Sequence, residues 1–191
     1  MPPATPAIAM NPIPANLLPR CTMRRIILHW TCGRRTANDT DIEHYHFLVE
    51  QPDGREPRVI RGEHTIDDNV STADDDYAAH TRGCNTGSIG LALCGMLNCE
   101  KNPFKPGPHP FTHDQWHLMC RAAAQLATAY NIPITPTTVL AHGEVQEKLG
   151  IKQAGKWDPM RLPWMPQVKP ADVMQLTRET IARYQVEQRA K

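Results

Sequence analysis

The residues of this sequence whose types and spacing could do chemistry are His29, His142 and the segment Lys156-Trp157-Asp158-Pro159. They offer two imidazoles, one carboxylate and one ammonium from segments far apart in the chain. Two neutral imidazoles and a carboxylate make an open zinc site, with three protein ligands and the fourth position left for water. A structural zinc site is more usually closed by a fourth ligand and rich in paired cysteines. If these three side chains converge, the chemistry they imply is hydrolysis, with Lys156 placed to offset developing negative charge. Taken singly each has a plainer reading: a strand-end histidine is ordinarily a satisfied core or surface residue, and Lys156 a solvated charge.

The surrounding pattern says which elements must position them. Met23 to Trp30, with Ile26-Ile27-Leu28, reads as a buried strand delivering His29. Tyr45 to Val49 reads as a second strand, and Pro52-Asp53-Gly54 as a turn leading to a partner at Arg58-Val59-Ile60. The polar, acidic stretch from Glu63 to Asp76 reads as a long loop at the mouth of the site. From Ser88 to Gly95, Ile89, Leu91 and Leu93 alternate with Gly90, Ala92 and Cys94, a strand whose small face leaves room for something close by. Thr112 and Gln115 have capping-box spacing, and Trp116, Met119, Ala123, Leu126 and Tyr130 form one apolar helical face. Val139-Leu140-Ala141 is a short strand delivering His142, and residues 152–166 form an irregular loop. Pro170 opens a last helix over about 170–188, with Val173, Leu176, Thr177, Ile181 and Tyr184 inward. The arginines of that helix could touch a membrane surface, but a helix docked on its own domain is the simpler reading. Strands alternate with helices, so the expected fold is α/β: a single domain with a central mixed β-sheet flanked by helices. Its ligand site would lie in a groove at the C-terminal edge of the strands.

Composition narrows the class further. A chain of 191 residues is one domain able to bury roughly 70% of its unfolded surface without staples. Formal net charge is +1, so no overall field draws the protein to nucleic acid or an anionic membrane. No apolar run approaches the length of a membrane span. Many of the 18 prolines fall in residues 1–20, which read as an extended proline-rich arm preceding a catalytic domain over 21–191. The arm has neither a basic start nor an unbroken apolar core, so synthesis in the cytoplasm without a secretory signal is expected. The six cysteines have no CxxC pair and are expected reduced, Cys32 and Cys84 being near enough in sequence to the candidate site to be weighed as ligands.

Several motifs occur together in one order: His29-Trp30-Thr31 after an apolar strand, Tyr45-His46-Phe47, Ala79-His80 followed by Asn85 and Ser88-Ile89-Gly90, then His142 with Lys156-x-Asp158-Pro159. Over about residues 23–165 the chain thereby resembles the zinc-dependent N-acetylmuramoyl-L-alanine amidases, a family that includes amidase-type phage lysozymes, anhydro-muropeptide amidases and peptidoglycan recognition proteins. The resemblance implies a central mixed sheet flanked by helices and hydrolysis of the amide joining N-acetylmuramic acid to L-alanine in peptidoglycan. It implies one Zn2+ per chain held by His29, His142 and Asp158, with Lys156 and Tyr45 catalytic and His80 and Asn85 on the substrate groove. Glu144, two residues after His142, is a candidate to orient an imidazole. His44, His46, His64, His109, His113 and His117 are left as structural or exposed.

Within that family two details pull apart. The third ligand is an aspartate, as in the anhydro-muropeptide amidases, yet Ala92 stands where those enzymes place a glutamate, which shifts weight onto Tyr45. The resulting expectation is a phage or prophage endolysin acting on peptidoglycan as a monomer, made in the host cytoplasm and reaching the wall through a holin. The alternatives are a cytoplasmic wall-recycling amidase acting on soluble anhydro-muropeptides, and a module that binds peptidoglycan without cleaving it.

Overall fold

The computed structural model describes residues 10–190, so the first nine residues of the proline-rich arm lie outside the described residues. Five strands form one mixed sheet: β1 (Arg25–Trp30), β2 (Phe47–Glu50), β3 (Arg58–Arg61), β4 (Ser88–Leu93) and β5 (Val139–Ala141). Their spatial order is β3-β2-β4-β1-β5. The central strand pairs are parallel, and only β3 runs antiparallel, at the edge. The helices are α1 (Asp39–His44), α2 (His113–Ala129), α3 (Val145–Leu149) and α4 (Pro170–Arg189). Among the described residues no helix is long and apolar enough to cross a membrane.

Side-chain alternation along the strands divides the sheet into two unlike faces. One carries Ile26, Leu28, Trp30, Phe47, Val49, Ile89, Leu91 and Leu93, all packed into the main core with Trp116, Met119 and Leu126 of α2 and Val173 and Ile181 of α4. Each such large apolar side chain contributes roughly 1.5–3 kcal/mol by leaving water, so this face holds the fold together. The other face bears Ile27 and Leu140 in one small cluster and Leu48, Ala92 and Cys94 in another. His29 and His142 continue this second face.

Local chemistry fixes the helices in place. Thr112 Oγ1 accepts from the Gln115 N–H at 3.1 Å, and Gln115 Oε1 accepts from the Thr112 N–H at 3.0 Å, a complete capping box worth roughly 1 kcal/mol. The same Gln115 donates through Nε2 to the carbonyls of Val49 and Cys94, both at 3.0 Å, tying the start of α2 to the ends of β2 and β4. Residues 10–20 lie across α2 and α4. Gln125 exchanges two hydrogen bonds with the Ile13 backbone, Gln188 donates to the Met10 carbonyl, and Tyr130 donates to the Pro19 carbonyl.

Two elements differ from the sequence expectation. The second strand begins at Phe47 rather than Tyr45, because Asp39–His44 is a short helix whose capping box, Asn38 with Asp41, carries the chain as far as Tyr45. Six residues are too few to display helical periodicity. The acidic loop likewise contains a 3-10 turn at Ile66–Val70.

The small residues of β4 have a definite purpose. A Cβ on Gly90 would lie 2.6 Å from His80 Cγ and 2.7 Å from its Cδ2, so only glycine lets the imidazole lie flat against the strand. Gly90→Ala is therefore expected to lower stability by ~1–3 kcal/mol through overpacking, read as a drop in the urea midpoint. An unchanged midpoint would show that His80 can move aside freely.

Candidate metal centre

Parallel pairing brings the two histidines side by side. Leu28 of β1 stands opposite Ala141 of β5, so the next residues in register are His29 and His142, whose ring centroids are 4.8 Å apart. Asp158 arrives from the irregular loop. Trp157 anchors that loop by an edge contact with Trp30 at 4.7 Å, and the Gly143 N–H donates to the Asp158 carbonyl at 2.9 Å. A Cβ at position 143 would meet Met160 Sδ at 2.4 Å and Trp157 Cα at 2.7 Å, so glycine there admits the loop against His142. Asp158 Oδ2 ends 3.2 Å from His29 Nδ1 and 3.4 Å from His142 Nδ1. All three residues are buried, and one ligand atom from each lies within 4.8 Å of the others.

The outward-facing nitrogens decide what these atoms can hold. Gln153 Nε2 donates to the Arg82 carbonyl at 2.9 Å, which turns its Oε1 toward His142 Nε2 at 2.8 Å. An amide oxygen only accepts, so His142 carries its proton on Nε2 and presents a lone pair at Nδ1. His80 Nε2 lies 3.3 Å from the Ser88 carbonyl and must donate to it, leaving His80 Nδ1 to accept from His29 Nε2 at 3.2 Å. His29 then also presents a lone pair at Nδ1. Two imidazole lone pairs and a carboxylate oxygen thus face one another with no proton between them. That donor set, two nitrogens and one oxygen in a buried site, fits a zinc ion.

Electrostatics agree with this arrangement. Burial alone would raise the pKa of Asp158, but the His142 and His29 imidazoles beside it outweigh burial and hold the carboxylate well below its usual range. Burial pushes His29 down to about 4 despite the neighbouring Asp158 carboxylate, so its imidazole is neutral at pH 7. Tyr45, with its ring 5.0 Å from that of His29, has its hydroxyl pKa raised by burial and then by Asp158. It is held as a phenol, a donor and not a base.

Beside the cluster lies an open groove of about 810 Å³ whose lining includes His80, Arg82, His142, Lys152 and Lys156. The exposed Lys156 side chain has no hydrogen-bond or ion-pair partner among the described residues. His80 lines the groove by its ring edge only, since both nitrogens are engaged within the protein. Asn85, expected on the groove, is absent from its lining; its Oδ1 accepts from the Thr81 N–H at 2.7 Å and closes the turn that carries His80. Glu144 does not touch an imidazole. Its carboxylate takes the Ala141 N–H at 2.9 Å and Arg178 of α4 at 2.9 Å, and so holds the backbone leading into His142. Cys32 and Cys84 stand outside the ligand group, and all six cysteines are free. Ala92 is buried opposite His29 in the β1–β4 register and brings no carboxylate to the site.

The family model described as N-acetylmuramoyl-L-alanine amidase matches residues 19–161. The chain belongs to this family. Solved structures with a similar chain path include the endolysin amidase LysCS from Clostridium intestinale, at 19% identity and TM-score 0.41 over 69% of this chain and 86% of that one. The Ph2119 endolysin from a Thermus scotoductus bacteriophage matches at 21% identity and TM-score 0.42, over 66% of this chain and 75% of that one. AmiD from E. coli, solved with the substrate anhydro-N-acetylmuramic acid-L-Ala-D-gamma-Glu-L-Lys, matches at 19% identity and TM-score 0.47 over 79% of this chain and 57% of that one. No curated protein matches this amidase significantly.

One residue of the amidase site went unread in the sequence: Gln153, 11 positions beyond His142 in an irregular loop, with no periodicity to mark it. Its role follows only from the fold, which sets Arg82 and His142 on either side of its amide. Gln153→Ala frees His142 to change tautomer and is expected to weaken divalent-metal affinity by roughly 10–100-fold. Competition against a chromogenic chelator measures this, and equal affinities would show that His142 is oriented without Gln153.

Proposed function

We propose that this amidase is zinc-dependent, with His29, His142 and Asp158 as the ligands, and that it acts on cell-wall peptidoglycan as a phage or prophage endolysin. The observation that carries the zinc reading is the buried convergence of His29 Nδ1 and His142 Nδ1 on one carboxylate oxygen of Asp158. The bond cut is the amide between the lactyl group of N-acetylmuramic acid and the L-alanine of the stem peptide. The absence of a carboxylate at Ala92 favours the endolysin over a wall-recycling enzyme, while an aspartate as third ligand is the feature that favours the recycling enzyme. With its three ligands and Lys156 all present, the chain is not read as a wall-binding module without activity.

An amide resists water because its carbonyl is weakly electrophilic and its amine leaves poorly. Zinc supplies Lewis acidity toward both the carbonyl and water. The protein's own residues do the rest. Lys156, exposed on the groove wall, brings an ammonium to the carbonyl oxygen as it gains charge. Tyr45, kept protonated by burial, donates a hydrogen bond to the same developing charge. His80, bound at both nitrogens, acts on His29 rather than on substrate, holding the tautomer in which Nδ1 is free to coordinate. Asn85 and Glu144 steady the segments that carry His80 and His142.

Two variants separate these roles. Asp158→Ala is expected to lose bound zinc and all turnover, and full zinc occupancy by elemental analysis would remove Asp158 from the ligand set. Lys156→Met is expected to keep the metal and lose about 10²–10³-fold in kcat, the scale for one oxyanion donor. The substrate assignment rests on digestion of purified sacculi with and without a chelator. The endolysin releases free L-alanine amines without new sugar reducing ends, whereas action confined to soluble anhydro-muropeptides would make it the recycling enzyme.

A further inference from the structure

We propose that His113 and His117 form a second divalent transition-metal site on the solvent-facing side of α2, separate from the His29–His142–Asp158 centre. The two histidines are one helical turn apart, where side chains at i and i+4 meet. Their Nε2 atoms lie 3.2 Å apart. Nitrogens about 2.0–2.1 Å from one ion lie about 3.4 Å apart in tetrahedral geometry and about 2.9 Å apart at a right angle. The observed separation falls between these values, so the two nitrogens stand at the spacing of two ligands of one ion, which each ring reaches by turning its lone pair off the N···N line.

The surroundings fit a metal-binding pair. Tyr184 of α4 places its hydroxyl 2.8 Å from His117 Nδ1, where it can accept the Nδ1 proton and leave Nε2 with its lone pair. His113, with its side chain 58% exposed, has room for water in the remaining coordination positions. Burial, then His113 itself, lowers the pKa of His117 to about 4, so this imidazole is neutral at pH 7. Without an ion the two rings share one proton as an imidazole–imidazole hydrogen bond. Arg121 and Arg183, stacked on the Tyr184 ring at 4.8 and 5.3 Å, keep positive charge behind the pair. Charge attraction is therefore weak, and nitrogen donors select Cu2+, Ni2+ and Zn2+ over Ca2+ and Mg2+, which take oxygen ligands.

Equilibrium dialysis of the full-length protein against Zn2+ or Ni2+, followed by elemental analysis, tests this. The wild type should hold one equivalent more than His113→Ala and one more than His117→Gln, with folding of each variant checked by circular dichroism. Asp158→Ala, which removes the other centre, should retain that equivalent, so failure of the amidase-site reading would show separately. Cu2+ should also quench the adjacent tryptophans, with Trp164 5.1 Å from the His113 ring and Trp116 4.8 Å from the His117 ring, and should do so far less in His113→Ala. Equal metal content in wild type and both histidine variants would overturn the proposal, as would uptake of Ca2+ as strong as that of Zn2+.

Discussion

Three hydrogen-bond acceptors aimed at one buried point are the constraint on which the rest of this structure turns. A carboxylate taken out of water without a partner is costly, by several kcal/mol even after relaxation. Here the Asp158 carboxylate faces two imidazole nitrogens whose protons have been drawn to the opposite side of each ring by Gln153 and by His80. Such an arrangement is stable only with a cation at its centre, or with a proton returned to it at the expense of an outer hydrogen bond. The outer bonds are as much a part of the centre as the three residues that meet there. Each ends on a main-chain carbonyl, that of Arg82 or that of Ser88, which cannot reverse its polarity.

The sheet supplies the rigidity that this arrangement needs. Large apolar residues occupy the face under α2 and α4, and on the opposite face β4 contributes only small ones, so the stabilising core and the candidate site lie back to back on the same strands. The parallel register of β1 and β5 sets His29 beside His142, and β4 on the other flank offers Gly90 and Ala92, which have no bulk to displace the imidazoles. A second layer of hydrogen bonds extends outward from there. Gly90 donates to His46 Nδ1 at 2.9 Å, His46 Nε2 meets Asn69, and Asn69 holds the carbonyls of Ala78 and Asn85 on either side of His80. His46, set aside in the sequence as structural or exposed, is fully buried and begins this chain of supports.

How much of this could be read in the sequence depended on whether the signal was local. The capping box at Thr112, the apolar stripe of α2 and the proline opening α4 are local patterns, and the helices begin where those patterns place them. The alternation of β4 was legible, including its unoccupied small face, but not that His80 fills it, because that contact joins a loop to a strand. The histidines and Asp158 were found as an ordered set of motifs spread over most of the chain. Asn85 and Glu144 belong to the same neighbourhood yet turn away from the groove, and no periodicity distinguishes a side chain that closes a turn from one that lines a pocket. Gln153 was invisible for the converse reason: an amide in an irregular loop gains its meaning only from the two groups the fold brings to it.

On the proposed reading, the division between fixed and free groups also bears on how the reaction runs without a glutamate. His29 and His142 are held through Nε2, His80 through both ring nitrogens, and Asp158 through Oδ2 against the two imidazoles, which sets the arrangement before any substrate arrives. Lys156 is the opposite case: an exposed ammonium on a flexible stem, close enough to be felt by His29 and engaged by nothing else described. A group that must meet charge only as it develops does better without a partner in the ground state, since breaking such a bond would subtract from the stabilisation it gives. Tyr45 lies between these extremes, buried enough to keep its proton and near enough to the centre to donate it in a hydrogen bond. With Ala92 providing no carboxylate, Asp158 is the one acidic member of the group that would hold the metal, and Lys156 would meet the substrate carbonyl without a competing anion from β4.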